Sequence, residues 1–475
     1  MGWPVPEFER LPVFRKPSPW APIVGSLIIV FGAAVAIFYL WLKIHGRSGG
    51  LGFWLCLIGI PLIAGLLFWC AVGHCAAMRL FGVDSVKYYA SAVLSAWQHW
   101  SRQYVVLGGF SVILVEDALA EKIAGLSGTV PENKSEVRRL EQIKDDFKSS
   151  RTEQILERLL KGVEVALTSS GIDHALRIVA WAGEHADGVA IEDCVKKLWS
   201  ASGLHLVASV EVVSALNWSM IERHVLGDGV PLLVLTMQIH DDAGKLAQFT
   251  ESAAALVFLP QLARTDTGEP VVRIYRSIPT STATMIADFN QLGDYGALPL
   301  AQIRSGWNCN LGKAEGYGLA RAVGDCGLVF EGGTTGMINI GDSIGPTGPI
   351  SPWLSLALAA ELVQYGQGPQ LLATQEGKHA RLYIAAADEA VPVERGGKPP
   401  SSGQHGSTIL ACALPTLTLL LGLLFKAADL FPWVSMGVAG AVVLALSLRL
   451  LHPYLVQARA IELVHALGGR LPPAE

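Results

Sequence analysis

Two uninterrupted apolar runs, Pro22–Leu42 and Leu51–Val72, constrain this chain more than any other feature, because neither contains an Asp, Glu, Lys or Arg. At 1.5 Å per helical residue, about 20 residues cross the ~30 Å hydrocarbon layer of a bilayer, so each run is long enough to span one. The polar step between them, Lys43–Gly50, suits a tight helical hairpin. A second pair, Thr408–Phe425 and Leu430–Leu448, recurs toward the other end, separated by Lys426, Ala427, Ala428 and Asp429. With no ionisable group at mid-depth, these runs lack the usual mark of a proton relay or ion path and read as anchors, not as a channel or transporter. The first run is too long for the apolar region of a secretory signal, and a second run follows at once.

These runs divide the 475 residues into six parts. A lead-in at 1–20 is followed by a two-helix membrane segment at 21–74 and a soluble α/β domain at 75–390. A Pro/Gly/Ser-rich linker at 391–407, a second two-helix segment at 408–449 and a tail at 450–475 complete the chain. Hydrophobic residues make up 51% and the mean hydropathy is +0.40, high for a soluble protein, with the excess concentrated in the terminal regions. Four spans place both ends and the domain on one side. Arg10, Arg15 and Lys16, then Arg79, Lys87 and Arg102, then Arg395 and Lys398, then Arg449, Arg459 and Arg470 lie on that side. Lys43, Arg47 and Lys426 lie on the other, so the positive-inside bias makes the domain's side cytoplasmic. The Ala/Gly-rich composition and short turns suit a bacterial inner membrane. A net charge of −5 and the lack of any Lys/Arg-rich run argue against a nucleic-acid partner. Of the seven cysteines, Cys194, Cys309 and Cys326 fall in the soluble middle without CxxC spacing, which fits a reducing compartment and neither a disulfide framework nor a zinc site.

Along the middle, Met78–Gln103 is mixed and amphipathic and is expected as a helix lying on a surface or packing on the domain. Tyr104–Val115 reads as one or two strands broken at Gly108-Gly109, and Glu116–Ala124 as a helix. The charged Ser135–Lys161 reads as a helix, Gly162–Thr168 as a strand and Ile172–His185 as a helix. Leu204–Val213, Val230–Ile239, Ala253–Leu259 and Val271–Tyr275 are β-rich, with Ala215–Leu226 helical among them; the continuous run Val230–Ile239 suits a central strand buried on both faces. A glycine-rich segment, Gly324–Gly348, precedes the helix Ser351–Tyr365, whose Pro352 sits in the first turn, where a missing N–H is harmless. Gln370–Thr374 and Arg381–Ala386 form a closing hairpin. Such alternation argues for a layered α/β architecture.

No Walker loop, HExxH, GxSxG or paired CxxC motif is present, and Leu311-Gly312-Lys313 lacks the upstream glycine of a P-loop. Gly332-Gly333-Thr334-Thr335-Gly336 offers backbone N–H groups that suit a turn better than an anion site. The twelve histidines are scattered; His174 and His185 are too far apart for a shared metal, and His45, His74 and His452 flank the spans. Neither a metal nor a cofactor is expected.

One stretch carries a resemblance. Ile340-Gly341-Asp342-Ser343-Ile344-Gly345-Pro346-Thr347-Gly348, running into Ser351–Val363, resembles the glycine turn and long apolar helix of β-ketoacyl synthases, which have the thiolase fold. Leu232–Gln238 is similar to that family's strand after the nucleophile helix, and Glu251-Ser252-Ala253-Ala254-Ala255-Leu256-Val257 to its Glu-Gly-Ala-Ala-Ala-Leu-Val strand. The likeness covers roughly 200–388. It implies a thiolase-like domain with an elbow near Val213-Ser214-Ala215. The family requires a cysteine there, with two histidines, or a histidine and an asparagine, stabilising the thioester oxyanion. No cysteine lies at this elbow, and Asp342 occupies one histidine slot, where a carboxylate would repel the charge that a donor should stabilise. As a structural residue, Asp342 is expected to accept hydrogen bonds from turn N–H groups.

The resulting expectation is a membrane-anchored α/β protein whose degenerate thiolase-like domain is flanked by two transmembrane helical hairpins. It would act as a non-catalytic scaffold or adaptor, as an accessory part of a bacterial envelope or secretion complex. Its partners would be the lipid bilayer and a protein, either a second copy or another chain. The alternative is a membrane-surface enzyme acting on acyl chains or lipids, with Ser214, His224, His240 and Asp342 as the residues to test.

Overall fold

The computed structural model describes residues 2–6, 20–46, 49–393, 454–455 and 458–462, apart from short stretches at 145, 148, 171, 173–174, 184–186, 205, 241–246, 262–269, 329 and 331–336. The second apolar pair, Thr408–Leu448, and the Gly332–Gly336 turn therefore lie outside the described residues, as do His174, His185 and His452. Two compact units emerge, one holding the described residues of 1–4 and 98–393 and the other those of 5–97 and 394–471.

Helices α1 (Trp20–His45) and α2 (Leu51–Ser101) dominate the second unit. Their apolar parts, Trp20–Ile44 and Leu51–Gly73, have mean hydropathies of 2.6 and 2.5 and are long enough to span a membrane. They touch through Ile37, Cys56 and Ile60, through Phe53 set edge-on to Phe38 and Trp41, and through Ser26, whose hydroxyl donates to the Gly65 carbonyl at 3.2 Å. Outward, Leu27, Ile28, Phe31 and Tyr39 are each more than 60% exposed, an apolar surface that water does not favour. The helix expected over Met78–Gln103 is present as far as Ser101, as the continuation of α2. No proline follows Pro61 to stop the helix, and its 51 residues extend about 76 Å. On this distal part, Val86, Ala90 and Val93 bury Ala460.

In the first unit the chain forms β1 (Tyr104–Ile113), α3 (Leu119–Ile123), α4 (Arg151–Ser169), β2 (Leu176–Trp181), α5 (Gly188–Ala201) and β3 (Ala208–Val212). There follow α6 (Trp218–Glu222), β4 (Leu232–Gln238), β5 (Ser252–Leu259), β6 (Val272–Tyr275), β7 (Ile278–Thr280) and α7 (Met285–Tyr295). The remainder is β8 (Ser305–Cys309), α8 (Lys313–Asp325), β9 (Met337–Ile338), α9 (Gly341–Ile344), α10 (Ser351–Gln364), β10 (Gln370–Glu376) and β11 (His379–Ala386). α6 runs on into one π-helical turn, Arg223–Gly227.

The strands join in a mixed sheet of order β3-β2-β4-β5-β1-β6-β11-β10-β8-β9, with β7 beside β11. The order hides a duplication. In the first half β4, β2 and β3 are parallel neighbours and β5 runs antiparallel between β4 and β1. In the second half β10, β8 and β9 are parallel and β11 runs antiparallel between β10 and β6. The halves meet where β1 and β6 pair antiparallel, Tyr104 opposite Tyr275. α6 and α10 thus hold equivalent places, each between the third and fourth main strands of its half.

Alternation along the strands builds a core on each face of the sheet. Val105, Leu107, Leu232 and Val234 point toward α6 and α10, whereas Val106, Leu233 and Leu235 point toward α4 and α5. The run Val230–Ile239 becomes β4, buried on both faces as expected, and Gly108-Gly109 marks a bulge within one strand, β1.

Three expectations between 135 and 185 are corrected. The helix starts only at Arg151, where the Ser150 hydroxyl caps it by accepting the Glu153 N–H at 3.2 Å; the charged stretch before it is irregular. Gly162–Thr168 continues that helix, because Ile155, Leu159, Val163 and Leu167 make one buried stripe at helical spacing. Ile172–His185 contains the strand β2, whose short apolar run is buried on both faces between β3 and β4.

Candidate functional site

The turn between β3 and α6 holds Val213, Ser214 and Ala215, where the sequence resemblance places an elbow. Ser214 lies there, exposed, with its carbonyl accepting the Trp181 indole N–H at 3.3 Å. Asn217 caps α6 by accepting the Met220 N–H at 2.9 Å, a stop the sequence supplies because Asn favours this position. Trp218 then enters the core, stacked on Tyr383 at 4.7 Å between ring centroids. Around this first turn the β10–β11 hairpin brings up two charged residues that stand five apart in sequence, Glu376 and Arg381. The Glu376 carboxylate accepts the Trp218 backbone N–H and, at 3.3 Å, the Ser219 hydroxyl. Arg381 donates to Glu376 at 2.6 Å, to Ser219 Oγ at 2.6 Å and to Ser277 Oγ at 2.8 Å.

A second carboxylate, Glu222, closes the cluster one turn along α6. Its Oε1 accepts the Trp218 indole N–H at 3.0 Å and the Ser277 N–H at 2.7 Å, while Arg381 stands 3.8 Å from its Oε2. Burial pushes the Glu222 carboxyl above the usual carboxylate range; the Ser277 N–H, Arg276 and Arg381 pull the other way without cancelling it. Nearby Cys309, at the end of β8, is fully buried, and burial raises its thiol to about 12. At neutral pH it is protonated and shielded, the state of a structural cysteine rather than a nucleophile.

Helix N-termini attract anions because their first N–H groups have no intrahelical partner. At α6 two of these groups are already taken by side chains of the chain itself, Glu376 on Trp218 and Asn217 on Met220. The cluster therefore ties the β3–α6 turn to the β10–β11 hairpin, and the Trp218 and Met220 N–H groups are not vacant donors.

The four sequence candidates do not converge; among the described residues no hydrogen bond joins any two of them. His224 lies in the π-helical turn, with Arg177 Nη1 2.8 Å and Asp228 Oδ2 3.2 Å from its Nδ1. His240 follows β4. Its Nδ1 accepts from Arg139 at 3.1 Å and its Nε2 lies 2.6 Å from the Phe249 carbonyl, so Nε2 carries the proton. Asp342 is exposed in α9. Contrary to expectation, its carboxylate accepts from the Asn339 side-chain amide at 3.1 Å, not from turn N–H groups, and it is its carbonyl that receives the Asn133 N–H at 2.7 Å. The turn after it is covered by residues 133–138. Gly345 (φ +94°) lies so close beneath them that a Cβ would stand 2.2 Å from the Glu136 carbonyl oxygen.

Glu222, Glu376, Arg381 and Ser277 were not anticipated from sequence. Trp218 and Glu376 are 158 positions apart, and nothing local ties them. A glutamate one turn after a tryptophan on a buried helix was the available signal. Among the described residues no group of three His, Cys, Asp or Glu is placed to hold a metal ion.

Solved structures similar to this chain include one from the complex of a type II polyketide synthase acyl-carrier protein with its ketosynthase. The identity is 12%, covering 60% of this chain and 100% of that one, with a TM-score of 0.44. The 3-oxoacyl-(acyl-carrier-protein) synthase III of Aquifex aeolicus matches at 10% identity over 59% and 99% of the two chains, TM-score 0.35. OleA of Xanthomonas campestris matches at 12% over 61% and 98%, TM-score 0.37. No family model matches the sequence, and no curated protein does. These similarities concern the fold alone and carry no activity to this chain.

Proposed function

We propose that this protein is a membrane-anchored, non-catalytic scaffold or adaptor, facing the cytoplasm of a bacterium from two transmembrane hairpins and serving as an accessory part of an envelope or secretion complex. One observation carries the reading. The elbow that needs a reactive side chain and free donors instead has Ser214 on the surface, and side-chain acceptors on the N–H groups of Trp218 and Met220. The outward Leu27, Ile28 and Phe31 of α1 support the anchoring.

The decisive test is incubation of the full chain in native-like membranes with a radiolabelled acyl thioester. No covalent label is expected. Label that disappears in Ser214→Ala would overturn the scaffold reading and establish the acyl-transfer alternative. A reporter inserted at Gly268 tests the orientation separately, with activity expected only from a cytoplasmic reporter.

A further inference from the structure

The amino-terminal residues are bound in the manner of a peptide ligand. Trp3 is only 4% exposed although residues 2–6 form neither helix nor strand. Its backbone N–H donates to Gln291 Oε1 at 2.7 Å and its carbonyl accepts from Gln291 Nε2 at 3.0 Å. One primary amide on α7 thus satisfies both polar groups of a single peptide residue. Such pairing recognises backbone independently of side chain, because a carboxamide presents one donor and one acceptor side by side.

Specificity comes from the pockets on either side. The Trp3 indole N–H donates to the Ser277 carbonyl at 2.9 Å, and its ring meets Trp100 edge-on with centroids 6.5 Å apart. Arg276 lies 4.4 Å above the same Trp100 ring and stiffens that wall. The preceding residue is read by exclusion. Gly2 has φ +67° and donates to the Pro279 carbonyl at 2.9 Å; a Cβ on it would stand 2.5 Å from Asp288 Oδ1 and 2.6 Å from Gln291 Oε1. A larger residue there is strained by the left-handed conformation and would have to displace the Asp288 and Gln291 side-chain oxygens.

We infer that Trp100, Ser277, Pro279, Asp288 and Gln291 form a peptide-recognition site for a Gly-Trp segment, occupied in this chain by its own Gly2 and Trp3. The site adjoins the β3–α6 cluster through Ser277. That residue's carbonyl receives Trp3, its N–H donates to Glu222 and its hydroxyl accepts from Arg381. Occupancy therefore braces the buried carboxylate cluster from outside, and the chain before α1 is clasped by the same unit that follows α2. The inference does not depend on whether the elbow is catalytic.

The test uses the full chain in detergent micelles and a fluorescent synthetic peptide, Met-Gly-Trp-Pro-Val-Pro. A Trp3→Ala chain, its site vacated, is expected to bind the peptide saturably, with at least tenfold higher affinity than the wild-type chain, whose own segment competes. Binding should be lost when the peptide's Trp or Gly is replaced by Ala, and when Gln291→Ala is added to the Trp3→Ala chain. A Gly2→Ala chain, which keeps the indole, serves in its place if Trp3→Ala does not fold. A folded, vacated chain that fails to bind, or that binds equally well without Gln291, overturns the assignment.

Discussion

Glu222 and Glu251 are both buried glutamates facing an arginine, yet their carboxyls are pushed in opposite directions. Glu251, at the start of β5, accepts four donors: the Leu140 N–H at 2.7 Å, the His240 N–H at 2.8 Å and both Arg151 Nη atoms at 3.1 and 2.6 Å. Burial alone would raise its carboxyl, but the Arg151 pairing and the two backbone N–H groups outweigh it and hold it below the usual range. Glu222 has two N–H donors and an arginine that spends its hydrogen bonds on Glu376, Ser219 and Ser277. What separates the two is the balance of opposing effects: burial prevails at Glu222, whereas at Glu251 the donors that reach the carboxylate outweigh it. Glu251 is a clamp on Leu140, Arg151 and His240; Glu222 is a buried carboxyl, its pKa raised, beside the β3–α6 turn.

The comparison breaks most readily at Arg151. Arg151→Met leaves the Glu251 charge buried without its counter-ion and should cost about 3–5 kcal/mol of unfolding free energy, read by urea denaturation of the solubilised chain. A loss below about 1 kcal/mol would show that the backbone N–H groups alone suffice. Arg381→Met should cost less, about 1–3 kcal/mol, since Arg381 stands 3.8 Å from Glu222, against 2.6 Å for the Arg151–Glu251 pair, and Glu376 keeps the Trp218 N–H. If Arg381 proves the costlier, the contrast is inverted. Asn217→Ala removes one cap and should cost about 1 kcal/mol, with the elbow otherwise intact.

The pH profiles sharpen the contrast further, because their slopes have opposite sign. The folded-state value of Glu251 is depressed. Its contribution is present above the ordinary carboxylate range near 4.5 and is lost as pH falls through the folded value. The folded-state value of Glu222 is raised, so the folded chain holds a proton that the unfolded chain has released; stability falls as pH rises from about 4.5 toward that value. Glu222→Gln should flatten the second slope with little effect on the acid side, and Arg151→Met should flatten the first. The smallest effect belongs to Ser214→Ala, a surface change expected to stay within about 0.5 kcal/mol.

Much of the sheet was legible because its strands carry their own signals. Val230–Ile239 is apolar on both faces, Ala253–Leu259 is its small and β-branched partner, and Gly377 turns the hairpin from β10 to β11. Ser351–Gln364 was readable from Pro352 in its first turn. The stretch from 135 to 185 was not, since charge alone does not distinguish a solvated helix from an irregular strap held by buried Leu140 and Ile143. The site was less legible: only the family resemblance drew notice to the turn between β3 and α6, and the cluster there is assembled from β10 and β11, since only folding brings Glu376 to Trp218. His224 and His240 attracted notice as titratable types, whereas their ring nitrogens are committed to local structural bonds.

The π-helical turn after α6 has a consequence of its own. Asp228 bonds back to the Arg223 carbonyl five residues earlier, so this turn holds one residue more than an α-turn would. Little slack follows it, since the Val230 N–H is tied to the His224 carbonyl and the Pro231 carbonyl to Arg177. The spare residue works as a vernier on the strand beyond. Excising it would draw β4 forward by one position against β2 and β5, and because side chains alternate along a strand, Leu233 and Leu235 would trade one core for the other.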